Sequence, residues 1–336
     1  MTKTNSSSTS SRLSKVKRQR LAEPLRYLFY SAEGVGKSTL AAAAPEPIFM
    51  DIEDGTARLD VARYPFHDGR SGHLPQTYAD VLAGIEDLRD TDHGYKTLVI
   101  DTVDRLETLL WDGACEYYSG TKDDVFNKKG GTLESIESFG YGKGYTVALQ
   151  WWHRLCSRLD ALRRERDMGI ILLGHATIRP FKNPSGADFD RYQLRLHDKA
   201  GGFLREWCDV VGFAAFEDAI RKENDRARAK AYETGARLLH FERTASYDAK
   251  TRVPLPAELE LDIAAPWAAL SAALEEGRSA TPEEFREQIK DELARINDVE
   301  LEAKVNTALE NTGGDTLTLS RYLNNLRSRP AAEIQE

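Results

Sequence analysis

Residues 30–40 restrict the range of folds open to this chain, and they read Tyr-Ser-Ala-Glu-Gly-Val-Gly-Lys-Ser-Thr-Leu. A short apolar run precedes them and an alanine-rich run follows, which predicts a strand, a glycine loop and a helix. Gly34 and Gly36 let backbone N–H groups point inward without interference from a Cβ. Such a loop between a strand and a helix is typical of phosphate binding, whereas an ordinary glycine turn before a helix is the alternative.

The loop predicts a site for a nucleoside triphosphate with Mg²⁺. Lys37 would reach the β- and γ-phosphates, and the Ser38 hydroxyl would hold the metal. Ser31 stands where the usual pattern begins with glycine. The residues expected to contact the nucleotide are Ser31, Ala32, Glu33, Gly34, Val35, Gly36, Lys37, Ser38 and Thr39.

Two carboxylates follow buried strands in the next part of the chain. Glu53 comes shortly after the apolar run 48–50, and Asp101 ends the run Thr-Leu-Val-Ile-Asp. Carboxyl ends of parallel strands meet at one edge of a sheet, beside the phosphate loop. Glu53 is therefore predicted to polarise an attacking water, with an acidic loop as the alternative reading. Asp101 is predicted to hold Mg²⁺, and Asp104 to be a surface or helix-entry residue rather than a second ligand.

His175 ends a further apolar run, at residues 170–175, so it is expected in the same crevice. There it would sense the γ-phosphate, or it is an ordinary loop histidine. Apolar residues at helical spacing predict helices over residues 77–90 and 146–166.

Two long segments, 112–145 and 176–197, show no regular pattern and mix aromatic, basic and glycine residues. The first suits a flexible surface that stacks on bases and contacts phosphates, but a lid or a subunit-contact loop fits equally well. Residues 219–231 are predicted to be a charged helix or arm.

Composition predicts a cytoplasmic protein with no membrane contact. The chain of 336 residues has no apolar signal segment, no run of the ~20 apolar residues that a span requires, and no paired cysteines. Residues 1–23 are predicted to be a disordered, basic tail rich in serine and threonine. The tail is either an arm for nucleic acid or a solvated end without a binding role, and the whole chain has a net charge of −8. An α/β core is predicted over residues 24–275. A helical module over 276–336 begins at the capping box Thr281–Glu284 after a linker at 277–280.

With these motifs in place, the chain resembles the RecA-like ATPases, and more closely the phage-type group that includes single-strand-annealing recombinases. The resemblance covers residues 26–261. It implies a RecA-like P-loop core with a mostly parallel central sheet flanked by helices, ATP and Mg²⁺ as cofactors, and Glu53 and His175 in catalytic positions. Residues 139–145, Phe-Gly-Tyr-Gly-Lys-Gly-Tyr, are similar to a signature of the phage-type group. Lys250 and Arg252 resemble a Lys-x-Arg pair that reaches a neighbouring subunit's γ-phosphate in RadA and DnaB-type relatives.

The resemblance implies an ATPase in phage or prophage DNA recombination, inside a bacterial host. It would bind single-stranded DNA as a homo-oligomer, either a ring or a filament, through residues 117–145 and 178–196 of the two irregular segments. A nucleotide-switched loader is the alternative function: its C-terminal helices would contact a replication or recombination protein, and it would bind DNA poorly. The acidic body and the helical module favour that alternative.

Overall fold

A computed structural model of the protein describes residues 13, 16–17, 23–66, 74–123, 125–184, 186–221, 230–262, 264–310 and 315–331. Within these ranges, the side chains of 218–221 and 230–234 are not part of the description. The prediction of a disordered basic tail falls almost entirely outside these residues. None of the helices in the described ranges is long and apolar enough to cross a bilayer.

The core is a sheet whose central strands are parallel, as predicted. Apolar runs with β-branched residues form these strands because they can be buried on both faces. They are β1 (Arg26–Ser31), β2 (Pro47–Asp51), β4 (Thr97–Asp101), β5 (Gly169–Phe181) and β7 (Val210–Arg221). Shorter or antiparallel strands complete the sheet, namely β3 (Ala62–Arg63), β6 (Phe189–Leu194), β8 (Lys230–His240), β9 (Lys250–Thr251) and β10 (Glu258–Glu260).

The strand order is β10-β8-β7-β1-β5-β4-β2-β3, with β6 paired to β5 and β9 paired to β7. The phosphate-loop strand β1 is therefore central, between β7 and β5. All carboxyl ends of β1, β2, β4 and β5 lie at one edge of the sheet because these strands are parallel. This order brings the predicted nucleotide loop and the predicted carboxylates to the same edge.

Helices cover both faces of the sheet. Helices α2 (Tyr78–Asp90), α3 (Val103–Tyr118) and α4 (Lys143–Arg166) pack on the face that presents Leu28, Met50 and Ile100. The opposite face, with Phe29 and Leu173, packs against α1 (Lys37–Ala42) and α6 (Ala268–Ser279). Helix α5 (Asp198–Trp207) follows the β5–β6 hairpin. The α/β fold class is confirmed, as are the helices predicted at 77–90 and 146–166.

The segments read as irregular are more ordered than predicted. Helix α3 continues to Tyr118, because Ala114 and Cys115 prolong its buried face, and a 3₁₀ turn spans Ile136–Phe139. Residues 176–194 lie mostly in an antiparallel hairpin of β5 and β6. Sequence alternation did not reveal this hairpin because polar residues occupy both of its faces. Its pairing is supported by Phe181 packing on Phe189, with ring centroids 5.3 Å apart.

Residues 219–231 were predicted to be a charged helix or arm. The helix is wrong for the part of this range that the structure describes, because those residues lie in strands. Residues up to Arg221 continue β7, and residues from Lys230 begin β8, the two strands pairing antiparallel. The residues between them lie outside the described part of the chain.

The C-terminal helices are α7 (Pro282–Ile296), α8 (Val299–Glu310) and α9 (Thr316–Arg327), and they share an apolar cluster of their own. The predicted capping box is present: Thr281 accepts from Glu284 N, and the Glu284 carboxylate accepts from Thr281 N. The expected linker at 277–280 is instead largely the last turn of α6. A Cβ on Gly277 would lie 2.2 Å from Pro254 O, so this turn is tightly packed.

Candidate active site

The phosphate loop has the geometry that its glycines predict. It connects the end of β1 at Ser31 to the start of α1 at Lys37. Gly34 and Gly36 have φ values of 78° and 105°, in the region that side chains rarely adopt. Val35 is buried in the core beneath the loop and anchors it, whereas Ala32, Glu33 and Gly34 face solvent.

Ser31 stands in place of the usual first glycine of the loop and forms hydrogen bonds within it. It is fully buried, and its hydroxyl accepts a hydrogen bond from Lys37 Nζ at 3.0 Å while donating to Ala32 O at 2.6 Å. Lys37 Nζ also donates to Ala32 O, at 3.2 Å. Burial lowers the pKa of Lys37, although the nearby carboxylates, Asp101 first among them, oppose the shift. The lysine is thus held inside the loop, close to where phosphates would lie.

Ser38 and Asp101 meet as expected. Strand β4, two places from β1, ends at Asp101, and Ser38 Oγ donates to Asp101 Oδ2 at 2.6 Å. Burial, together with the carboxylates of Asp51 and Glu53, raises the pKa of Asp101 to about 6. A divalent cation would relieve this crowding of negative charge, and hydroxyl and carboxylate oxygens are ligands that Mg²⁺ accepts. The residues present therefore fit Mg²⁺.

Glu53 is held in place by residues on both neighbouring loops. Asp51 is buried, and its carboxylate accepts from the backbone N–H groups of Glu53 and Thr56 and from the Thr56 hydroxyl. Asp51 is thereby committed to shaping the turn, whereas Glu53 projects into the site. Thr102 Oγ1 donates to Glu53 Oε2 at 2.6 Å, and Glu53 Oε1 lies 3.8 Å from His175 Nε2.

Asp104 is a helix-entry residue, as predicted, but the expectation that its side chain lies at the surface is wrong. It is mostly buried, and its carboxylate accepts from His175 N and from Arg195 Nη2, and lies 3.0 Å from His175 Nδ1. Burial would raise the pKa of Asp104, but the hydrogen bonds from His175 and Arg195 outweigh it and lower the pKa. Arg195 Nη1 lies 3.8 Å from Glu33 Oε1 of the phosphate loop.

Ligand atoms of Glu53, Asp104 and His175 lie within 4.8 Å of one another, a spacing that could hold a metal ion. Two contacts argue against a metal centre at this cluster. His175 Nδ1 lies at hydrogen-bond distance from Asp104, so this nitrogen is not free to bind an ion. Only the other nitrogen, Nε2, is directed toward Glu53, at 3.8 Å. Arg195 already neutralises Asp104. The cluster is better described as a hydrogen-bonded network that orients His175 beside Glu53.

Lys250 and Arg252 do not join this site in the single chain. Strand β9 pairs with the first residues of β7, at the opposite edge of the sheet from the phosphate loop. Lys250 Nζ donates to Arg205 O and Glu206 O, at 2.6 and 3.2 Å. Arg252 donates to Asp209 Oδ1 at 3.2 Å. Their expected role on a neighbouring subunit's phosphate stays a prediction.

Sequence reasoning missed three residues that the fold brings to the site. Thr102 holds Glu53, and Arg195 connects Asp104 to the phosphate loop. Arg237 on β8 lies against Gly36: a Cβ on that glycine would be 2.9 Å from Arg237 Nη1. Thr102, directly after the strand-terminal Asp101, could have been found by its position. No sequence signal marks the two arginines, because both are distant in the chain from the residues they approach.

A family model described as an AAA domain matches residues 23–253. The chain belongs to this AAA-domain family. Membership implies a P-loop ATPase core, with ATP-type nucleotide hydrolysis and Mg²⁺ as the usual metal. The matched region of this AAA domain includes every site residue described above and ends before the C-terminal helices. No curated protein matches the chain.

Proposed function

We propose that this protein is a Mg²⁺-dependent ATPase of phage or prophage recombination that acts on single-stranded DNA as an oligomer. The observation that carries the hydrolytic part is the position of Glu53. It lies at the same sheet edge as Lys37 and the Ser38–Asp101 pair, with one oxygen fixed by Thr102. Its other oxygen lies 3.8 Å from His175 Nε2, and 32% of the Glu53 side chain is exposed, which leaves room for a water molecule.

Each of these site residues has a defined part in the proposed hydrolysis. Lys37 leaves Ser31 to bind the β- and γ-phosphates, and the backbone N–H groups of the loop hold the phosphate oxygens. Ser38 and Asp101 would hold Mg²⁺, which neutralises charge on the β- and γ-phosphates when bound. Glu53 orients a water molecule in line with the γ-phosphorus. The water oxygen forms the new bond to phosphorus as the bond to the ADP oxygen breaks, and the proton that the water loses passes to Glu53 and then to solvent, which gives ADP and phosphate.

An exposed aromatic turn supports the DNA-binding part. Gly140, Tyr141 and Gly142 all have positive φ values, of 71°, 50° and 68°, and this turn leaves the Tyr141 side chain fully exposed. Tyr117 is the other tyrosine with a largely exposed side chain among the described residues. Lys143 directly follows the turn, and Lys128 and Lys129 lie earlier in the same segment. Exposed rings beside basic groups suit stacking on unpaired bases, which is worth about 1–3 kcal/mol per base.

A cleft lies between the two segments that were expected to contact DNA. It has a volume of about 310 Å³ and is lined by Tyr145, Arg179 and Arg195, among others. Tyr145 stacks on His197, with ring centroids 4.0 Å apart. Because Arg195 also binds Asp104, a strand that engages this arginine would act on the network that orients His175 and Glu53. Such a connection supports hydrolysis that responds to DNA.

The test is steady-state ATP hydrolysis with and without single-stranded DNA. We expect DNA to raise the rate of the wild-type protein, and Lys37→Ala to abolish turnover, because phosphate charge is then uncompensated. Tyr141→Ala should lower DNA affinity about 5–150-fold, whereas Tyr141→Phe, which keeps the ring, should retain it. DNA affinity should also fall steeply as salt is added.

Wild-type turnover in Lys37→Ala would overturn the hydrolytic assignment. A slow rate that is indifferent to DNA, with equal DNA affinity for both Tyr141 variants, would favour the nucleotide-switched loader instead. The net charge of −8 and the appended helices α7 to α9 are what support that second candidate. The next experiment would then be a search for the protein that binds those helices.

A further inference from the structure

Arg237 is held against the phosphate loop by the antiparallel pairing of β7 and β8. It pairs with Phe216 across the two strands, and the pairing register of the strands shifts between Phe216 and Asp218. Its guanidinium carbon lies 5.5 Å from the centre of the Phe216 ring. The other end of the guanidinium approaches Gly36 so closely that a Cβ there would be 2.9 Å from Nη1. The side chain therefore reaches from the β7–β8 pair onto the loop backbone.

The Arg237 guanidinium has no anionic partner within the described part of the chain. Its Nε is buried and makes no hydrogen bond, and the residue is only partly exposed. Two other arginines differ: the largely buried Arg26 binds Asp160 and Asp209, and the fully buried Arg191 binds Asp248. A buried guanidinium N–H without a hydrogen-bond partner is unfavourable, and an anion at this point would pair with the positive charge beside it. The loop beside it is built to bind phosphate.

The strand order shows from which side Arg237 approaches the phosphate loop. Strands β7 and β8 flank β1 on one side, whereas β4 with Asp101 and β2 leading to Glu53 lie on the other. The residues proposed to hold Mg²⁺ and to activate water lie on that second side, so the γ-phosphate would lie there as well. Arg237 approaches the loop from the first.

We propose that Arg237 binds the α- and β-phosphates of the nucleotide in its own subunit, contacts that ATP and ADP share. This inference rests on the proposed nucleotide binding at the phosphate loop. Arg237 is then a binding residue that contributes equally before and after hydrolysis, rather than a group that stabilises the transition state. Its loss removes uniform binding, which raises KM and leaves kcat nearly unchanged.

The experiment compares Arg237→Ala and Arg237→Lys with wild type in the full-length chain. Calorimetry gives the Kd for ADP and for a non-hydrolysable ATP analogue, and hydrolysis assays give kcat and KM. We expect Arg237→Ala to weaken both nucleotides by a similar factor of about 10–100, as for loss of a charge-assisted contact. The change in kcat should be less than about threefold. Arg237→Lys should recover part of the affinity, and the melting temperature without nucleotide should not fall.

Arg243→Ala is the matched control, because Arg243 lies shortly after β8 and its side chain is largely exposed. It should leave both Kd values at the wild-type level. Weakened binding of the ATP analogue alone, or a large fall in kcat, would overturn the inference in favour of a γ-phosphate contact. Unchanged Kd values in Arg237→Ala would also overturn it, while wild-type binding would leave the proposed function standing. Absence of nucleotide binding in the wild type would instead overturn the proposed function.

Discussion

At the scale of single residues, each reactive group of the site is positioned by a neighbour. Ser31 holds Lys37, Thr102 holds Glu53, and Asp104 holds His175. Such partners fix rotamers that would otherwise be free, which is how a site keeps its geometry before substrate binds. They also explain why Ser31 is compatible with the loop. Its hydroxyl supplies an acceptor to the lysine, where a glycine would supply none.

A buried carboxyl group behind this network predicts a pH effect on stability. Burial raises the pKa of Glu107 from its ordinary value of 4.5 to about 7, against the hydrogen bond from His197 N. The folded state therefore holds the proton more tightly than the unfolded chain. The contribution of this carboxyl group to the free energy of unfolding is fully present below pH 4.5. It is lost as the pH rises through 7, which lowers the free energy of unfolding by up to about 3 kcal/mol.

Glu107→Gln removes this titration. We expect the free energy of unfolding of the variant, relative to wild type, to rise by about 1–3 kcal/mol between pH 5 and pH 8. Urea unfolding at several pH values measures it. Glu116→Gln, an exposed position on the same helix α3, is the control and should show a constant difference. A constant difference for Glu107→Gln as well would contradict the prediction.

At the scale of secondary structure elements, the glycine-rich segment before α4 has a packing role. Helix α4 begins at Lys143, and its first turn lies against the 3₁₀ turn Ile136–Phe139. A Cβ on Gly144 would be 1.9 Å from Ile136 O, closer than any side chain allows. Close packing of these two turns is what displays Tyr141 to solvent. Residues 139–145, which resemble a phage-type signature, therefore also lie at a close packing contact between two turns.

Gly144→Ala should separate the two turns. We expect it to lower the free energy of unfolding by about 1–3 kcal/mol, since backbone atoms cannot move aside as a flexible side chain would. It should also reduce DNA affinity if Tyr141 is a stacking residue. Gly131→Ala is the control: its position has open space and should change stability by less than about 0.5 kcal/mol. Equal melting curves for the two variants would refute the packing argument.

At the scale of the whole molecule, the AAA domain and the C-terminal helices are joined by polar contacts. Asn324 of α9 donates to Leu255 O at 2.9 Å and to Glu242 at 2.8 Å. Arg321 donates to Thr251 O at 3.1 Å, directly between Lys250 and Arg252. The helical module therefore contacts the segment that carries the Lys-x-Arg pair. Because that pair lies at the far edge of the sheet, it does not reach the phosphate loop of its own chain, and its predicted role requires a second copy.

Subunit mixing tests the predicted oligomer. Lys250→Ala/Arg252→Ala keeps its own Glu53, and Glu53→Gln keeps its own Lys250 and Arg252, so each variant alone should hydrolyse ATP slowly. In an equal mixture, about one interface in four joins an intact Glu53 from one variant to an intact Lys250 and Arg252 from the other. We therefore expect about a quarter of the wild-type rate. Size measurement and mixing of labelled subunits serve as controls. A mixture that exchanges subunits but regains no activity would contradict the predicted role of the pair across a subunit boundary.

Much of the fold was predictable because its signals are local. Apolar runs marked the parallel strands, and Ser31 to Thr39 marked the loop, since strand, glycine and helix geometry depend on neighbouring residues. The β5–β6 hairpin was not predictable, because Arg191 is buried there by partners at Thr244, Tyr247 and Asp248. Such burial of a charged side chain runs against every pattern based on polarity.

The sequence by itself determined that a phosphate loop would lie at one sheet edge with Glu53, Asp101 and His175. Parallel strands place their carboxyl ends together whatever the detailed packing. Only the tertiary structure decided which polar groups there are free and which are engaged. Asp104 and Arg195 are 91 residues apart in the chain, and Gly36 and Arg237 are further apart still. Contacts over such separations depend on the packing of the whole sheet, which no local pattern encodes.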